Sequence, residues 1–171
     1  MGRGKAGTHP QRAESETGII RKDWKGKTSI ALVFPNYYAV GMPNLGFQSV
    51  YRLLNSMTSV VCERAFLPEN PGPAASVESG SKIDQFDIIA FSISFENDYL
   101  NLLTLLKDSG IPLLSSQRNE AHPLVIAGGV ACFINPEPVA HFVDCFLIGE
   151  AECLLPVLST ASNPAPIAAP C

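Results

Sequence analysis

Short apolar runs alternate with amphipathic stretches through the middle of this chain. Ser29–Phe34 (SIALVF) is a compact apolar run, followed by a loop rich in Gly, Pro and Asn. From Asn44 onward, Val50, Leu53, Leu54 and Met57 recur at i, i+3, i+4 and i+7, the spacing of one helix face. Asn44 stands where a helix N-cap belongs. Ser59–Phe66 is a β-branched run, and Asp87–Ser94 (DIIAFSIS) predicts a third strand. Tyr99, Leu102, Leu103 and Leu106 form a second helical stripe, capped by Asn97 or Asp98 and closed by Gly110. Leu124–Ala127 predicts a fourth strand that stops at Gly128-Gly129. Pro136–His141 reads as a short helix and Cys145–Ile148 as a fifth strand, which stops at Gly149. Glu150–Ser159 predicts a last helix, with acids in its first turn where the helix dipole favours them.

Apolar strands alternating with helices predict a parallel sheet covered on both faces. Five of them fit an α/β doubly wound, mostly parallel sheet in the flavodoxin-like order 2-1-3-4-5. The ends are different in character. Residues 1–27 carry seven Lys/Arg against three Asp/Glu, while the rest of the chain is net acidic. That first stretch has no hydrophobic period and is expected to be a disordered polar lead-in to about Asp23, with Trp24 the first residue to dock. Residues 161–171 alternate Ala and Pro and suit neither helix nor ladder, so a linker or a truncated end is expected there. The folded domain is expected over 28–160, with a Ser/Gly-rich loop from Ala74 to Lys82.

The 171 residues are 46% apolar and 16% charged, which is globular composition. A net charge of −4 and a pI of about 5.3 argue against nucleic-acid binding through bulk positive charge. No apolar run approaches the roughly 20 residues of a spanning helix, and the N-terminus lacks the apolar core of a signal peptide. Five cysteines with no CxxC pair fit neither a disulfide scaffold nor a zinc ribbon. A soluble, cytoplasmic domain is expected, without membrane or nucleic-acid partners.

In such sheets ligands bind outside the carboxyl ends of the strands, at the switch point between strands 1 and 3. Pro35–Gly46, Ser92–Asp98, Gly128–Asn135 and Gly149–Glu152 gather there, three of them with glycine where a strand stops. Pro35–Gly46 is long for a βα loop. It carries Tyr37 and Tyr38 but neither GxGxxG nor GxxxxGK[ST]. His9, His122 and His141 lack metal-ligand spacing. Cys62 and Cys145 read as core residues, and Cys132 as the exposed thiol, with no base placed beside it. Ser92 and Ser94 end a strand without the GxSxG elbow of hydrolases. Glu96, Asp98, Glu150 and Glu152 are the acids available to a polar ligand, with helix capping as their alternative use.

Several collinear runs resemble a known family. Phe34-Pro-Asn, Val40-Gly-Met-Pro-Asn-Leu-Gly-Phe-Gln, Tyr51-Arg-Leu-Leu-Asn and Val61-Cys-Glu-Arg-Ala-Phe are four of them. Phe91-Ser-Ile-Ser-Phe-Glu-Asn-Asp-Tyr, Ile126-Ala-Gly-Gly-Val and Phe146-Leu-Ile-Gly-Glu-Ala-Glu complete the set. Together they resemble the N-terminal region of bacterial radical SAM proteins, where a cobalamin-binding-like Rossmann domain precedes the radical SAM barrel. The likeness runs from about Thr28 to about Leu158.

The resemblance implies a B12-binding-like fold and two departures from the family pattern. No trio among Cys62, Cys132, Cys145, Cys153 and Cys171 has the CxxxCxxC spacing that holds a [4Fe–4S] cluster. The cluster and S-adenosylmethionine therefore belong to the family's missing barrel, and this chain is not expected to cleave SAM. The DxHxxG motif of cobalamin domains, aligned on Gly41, places Asn36 at the Asp and Tyr38 at the His. Cobalamin, if held, is then held without histidine on cobalt. By this likeness Asn36, Tyr38 and Gly41 line the corrin side, and Ser92, Ser94, Gly128 and Gly129 line the pocket for the nucleotide tail. The alternative is an interaction domain that packs on a radical SAM barrel, in cis or as a separate chain, and binds no cofactor. A stand-alone enzyme has no acid–base or nucleophile constellation behind it.

Overall fold

A computed structural model of the chain describes residues 16–155. Five strands, β1 (Thr28–Phe34), β2 (Val60–Phe66), β3 (Ile88–Ser92), β4 (Leu124–Gly128) and β5 (Cys145–Leu147), form one sheet. All neighbouring pairs are parallel, in the order β2-β1-β3-β4-β5. This is the doubly wound α/β sheet expected from the alternation of apolar runs and helical stripes. The helices are α1 (Tyr38–Gly41), α2 (Leu45–Ser56), α3 (Tyr99–Asp108) and α4 (Val130–Ile134). Residues 151–155 are helical. The rest of the expected Glu150–Ser159 helix and the Ala/Pro stretch 161–171 lie outside the described residues, as do residues 1–15.

Local chemistry explains most boundaries. The Asn44 side chain accepts the Phe47 N–H at 2.9 Å and starts α2. Gly110, at φ +73°, closes α3. Its N–H bonds the Lys107 carbonyl and the Ile111 N–H bonds that of Leu106, the Schellman pattern. Glu137–Phe142 is a 3-10 stretch rather than an α-helix. Pro138 falls in its first turn, where a missing N–H costs no intrahelical bond.

Alternate side chains of each strand feed two cores. Ile30, Leu32 and Phe34 join Phe47, Tyr51 and Leu54 of α2 on one face. Ala31 and Val33 join Phe86, Leu102 and Leu106 on the other. On the second face the segment 74–86 packs beside α3, with Ala74, Ile83 and Phe86 buried.

β2 is an edge strand, yet every residue in it is buried. Two segments close it. Ser76 bridges Ala65 in antiparallel register, and the Val77 N–H donates to the Arg64 carbonyl at 2.7 Å. Residues 16–27, expected as the end of a free lead-in, are docked against the same edge. Glu16 holds the Arg64 guanidinium with both oxygens, at 2.6 and 3.1 Å. The Ile20 N–H donates to the Tyr51 hydroxyl at 2.9 Å. The Trp24 indole donates to Glu63 at 3.0 Å and stacks at a tilt on Phe86. Docking therefore begins at least eight residues before Trp24. It is built on partners 31 to 48 positions away, which hydrophobic periodicity does not register.

Candidate functional site

The carboxyl ends of β1, β3, β4 and β5 share one pole, and beneath it lies a cavity of about 380 Å³. The sheet supplies its floor through Leu32, Ala90 and Ile126. One wall is α2, through Phe47, Val50 and Leu54. The other is Leu147 with the turn at 151–155, through Ala151, Leu154 and Leu155. Apolar side chains dominate. The polar groups, Asn44, Ser92 and Ser94, stand at the carboxyl end with Gly128 and Gly129. Asn44 Nδ2 donates to Ser94 Oγ at 3.1 Å, which joins the start of α2 to the loop after β3.

Gly129 is required by the chain itself, and Gly128 sits in a tight place. Gly129 has φ +106°, and a Cβ there would lie 2.5 Å from the Ile93 carbonyl oxygen. That carbonyl receives the Ala131 N–H, while the Ile93 N–H donates to the Gly128 carbonyl at 2.8 Å. The loops after β3 and β4 thus cross at backbone contact. At Gly128 a Cβ would approach the Leu147 carbonyl oxygen to 3.2 Å.

The other expected site residues stand apart from the cavity. Asn36 accepts the Tyr37 N–H through Oδ1 and donates through Nδ2 to Asp98 Oδ1 at 2.8 Å. The Tyr38 ring meets Phe66 edge-on, with centroids 5.2 Å apart. Gly41 is buried where a Cβ would come within 2.6 Å of the Phe66 ring and 2.9 Å of the Phe34 ring. Ser92, Ser94, Gly128 and Gly129 are therefore gathered around one void. Tyr38 and Gly41 belong to the aromatic packing over β1 and β2.

The cysteines need correction. Cys132, expected to be exposed, is fully buried, and burial pushes its thiol up to about 11. Cys145, expected in the core, is exposed because β5 forms the outer edge of the sheet. Cys62 is buried as expected. The His122 ring pairs with Asn119 in a turn, and neither His122 nor His141 lines the cavity. Among the described residues no group of three His, Cys, Asp or Glu side chains is placed to hold a metal ion. Glu96, Glu150 and Glu152 are exposed, and Asp98 is buried at the start of α3.

The cavity's apolar lining is invisible to motif reading, since Leu32, Val50, Leu54 and Ile126 look like ordinary core positions. One signal exists. Ala90 is a small residue in the middle of the bulky run Ile88–Phe91, and it faces the void.

Fold and cavity together define an α/β domain of the doubly wound class with a ligand-sized apolar cavity at the carboxyl end of its strands. The sequence places it more narrowly. The family described as radical SAM proteins, N-terminal, matches residues 46–166, and the chain belongs to that family. The match begins inside α2, so the interior strand β1 precedes it. An uncharacterized protein of Methanocaldococcus jannaschii is 28% identical over 124 residues, which is 72% of this chain. The chain spans 24% of that relative's length. No solved structure matches the chain. Among the described residues no helix is long and apolar enough to cross a membrane.

Proposed function

We propose that this domain is a cofactor-binding accessory module of a radical SAM protein, with the nucleotide tail of cobalamin held in the cavity and no histidine on cobalt. It is not catalytic by itself. The observation that carries the reading is the cavity itself, an apolar slot of about 380 Å³ at the switch-point end of the sheet, with hydroxyls only at its carboxyl end. Those residues fit the tail. A flat aromatic base suits the floor of Leu32, Ala90 and Ile126, and the sugar and phosphate suit Ser92 and Ser94 beside the backbone of Gly128 and Gly129. When bound, cobalamin supplies cobalt-centred chemistry. This chain's residues hold the tail and keep water from it.

A second reading is favoured by a separate observation. Large apolar side chains are exposed at the same pole, among them Leu45 at 82%, Phe95 at 60%, Phe133 at 67% and Ile134 at 69%. A concentration of this kind marks a docking surface. Under this reading the pole packs on a radical SAM barrel, which carries the [4Fe–4S] cluster and S-adenosylmethionine, and the cavity stays without cofactor.

Anaerobic mixing with hydroxocobalamin, followed by desalting and a visible spectrum, separates the two. The cofactor reading expects colour retained at about one equivalent with a base-off spectrum. It also expects the cavity-filling variant Ala90→Leu to lose the colour while its melting temperature holds or rises. A folded wild-type protein that emerges colourless contradicts the cofactor reading and leaves the docking reading standing.

A further inference from the structure

The crevice between the loops after β1 and β3 is the topological switch point of this sheet, and its two lips are stitched together by side-chain amides. Asn36 Nδ2 donates across it to Asp98 Oδ1 at 2.8 Å. Asn101 Nδ2 donates to the Pro35 carbonyl at 2.9 Å. Asn44 Nδ2 donates to Ser94 Oγ at 3.1 Å. One member of this set is left incomplete. Asp98 is 2% exposed, and its second carboxyl oxygen, Oδ2, is sealed from solvent with no hydrogen-bond partner among the described residues.

An orphan buried carboxylate oxygen is expensive, because it has lost water and gained nothing. Helix capping does not account for it. Asp98 occupies the N-cap position of the ten-residue helix α3, but its carboxylate makes no capping bond there. Core packing does not account for it either, since no described residue pairs with Oδ2. Burial accordingly holds the Asp98 carboxyl above its ordinary value of 3.8, partly offset by the Asn36 hydrogen bond.

We propose that Asp98 is a ligand-recognition residue of the switch-point crevice, whose Oδ2 accepts an N–H from a primary amide on the bound cofactor. This rests on the cobalamin reading above, because the corrin rim carries such amides. The oxygen is sealed in this structure, so a ligand reaches it by parting the Asn36 loop from the start of α3. The ligand amide then completes the carboxylate that Asn36 half satisfies. The positive end of the α3 dipole favours the charged carboxylate at that position.

The test uses the full chain and hydroxocobalamin. Asp98→Asn keeps the Asn36 partner, removes the buried charge and puts an amide nitrogen in place of Oδ2. It is expected to weaken hydroxocobalamin binding by about tenfold or more, because the ligand N–H then meets another N–H. Unchanged affinity in this variant, with the wild type binding, overturns the role of Asp98 and leaves the cofactor reading intact. A wild type that does not bind at all overturns both. Should Asp98→Asn fail to fold, carbon-13 NMR titration of the wild-type Asp98 carboxyl decides. Hydroxocobalamin is expected to shift that titration to lower pH, since a donated N–H favours the charged form. An unshifted titration overturns the proposal.

Discussion

Gly129 and Gly46 occupy the same pole of the domain and answer a methyl group in opposite ways. At Gly129 an added Cβ meets the Ile93 backbone at 2.5 Å, and φ is +106°. Gly129→Ala is expected to cost about 3 kcal/mol, from a left-handed backbone and an overpacked crossing together. At Gly46, in the first turn of α2, the nearest atom to a new Cβ is Asn44 Oδ1 at 3.4 Å. Gly46→Ala is expected to be neutral or to gain up to about 1 kcal/mol from helix propensity. Urea unfolding of the two variants checks this, and equal midpoints would contradict the close crossing of the loops after β3 and β4. Gly128-Gly129 reads in the sequence as a candidate site marker, and the structure supplies a packing reason for it. The pair lines the cavity because two loops must touch there.

At the scale of elements, β2 shows how an edge strand becomes a core strand. Arg64 is 2% exposed and lies 4.4 Å over the Tyr51 ring. It is held by Glu78, whose side chain is fully buried, at 2.7 Å and by Glu16 at 2.6 Å. Arg64→Met keeps the volume and strands two acids. The loss is expected to be about 3–5 kcal/mol at neutral pH, the cost of breaking a buried ion pair on one side. Its pH dependence has a definite sign. Burial holds Glu78 above its ordinary value of 4.5, so the folded state binds that proton more tightly than the unfolded chain does. The group therefore destabilises the fold increasingly as pH rises through its folded value, and the missing Arg64 accentuates this. The deficit of Arg64→Met relative to wild type is expected to shrink between neutral pH and pH 5. A deficit that stays constant over that range would contradict a buried charge as its source.

The same edge marks the limit of what periodicity reveals. Each strand and each long helix announces itself through local spacing, and Asn44 and Gly110 announce boundaries through capping chemistry. The docked segment 16–27 announces nothing, because its anchors are single polar side chains reaching distant partners. Cys132 and Cys145 exchange places relative to expectation for a related reason. Burial at a strand end or sheet edge depends on which element lies beside it, and the sequence order of elements does not state that.

Over the whole molecule, a doubly wound domain presents a rim of exposed apolar side chains, a cavity beneath it, and a half-satisfied carboxylate in the crevice alongside. Family membership agrees with the resemblance carried by the sequence motifs, and it leaves the choice of cofactor to experiment. The corrin-side trio of Asn36, Tyr38 and Gly41 follows from motif alignment, yet two of the three are committed to aromatic packing. The tail-side group of Ser92, Ser94, Gly128 and Gly129 shares one void. The cavity therefore favours the nucleotide tail over the corrin ring as the part of the ligand that is held. Calorimetric titration of the chain with hydroxocobalamin and with cobinamide, which lacks the nucleotide tail, tests that most directly. A cavity that holds the tail predicts that cobinamide binds at least about tenfold more weakly, a difference of about 1.4 kcal/mol. Equal affinity for the two would contradict a cavity that holds the tail.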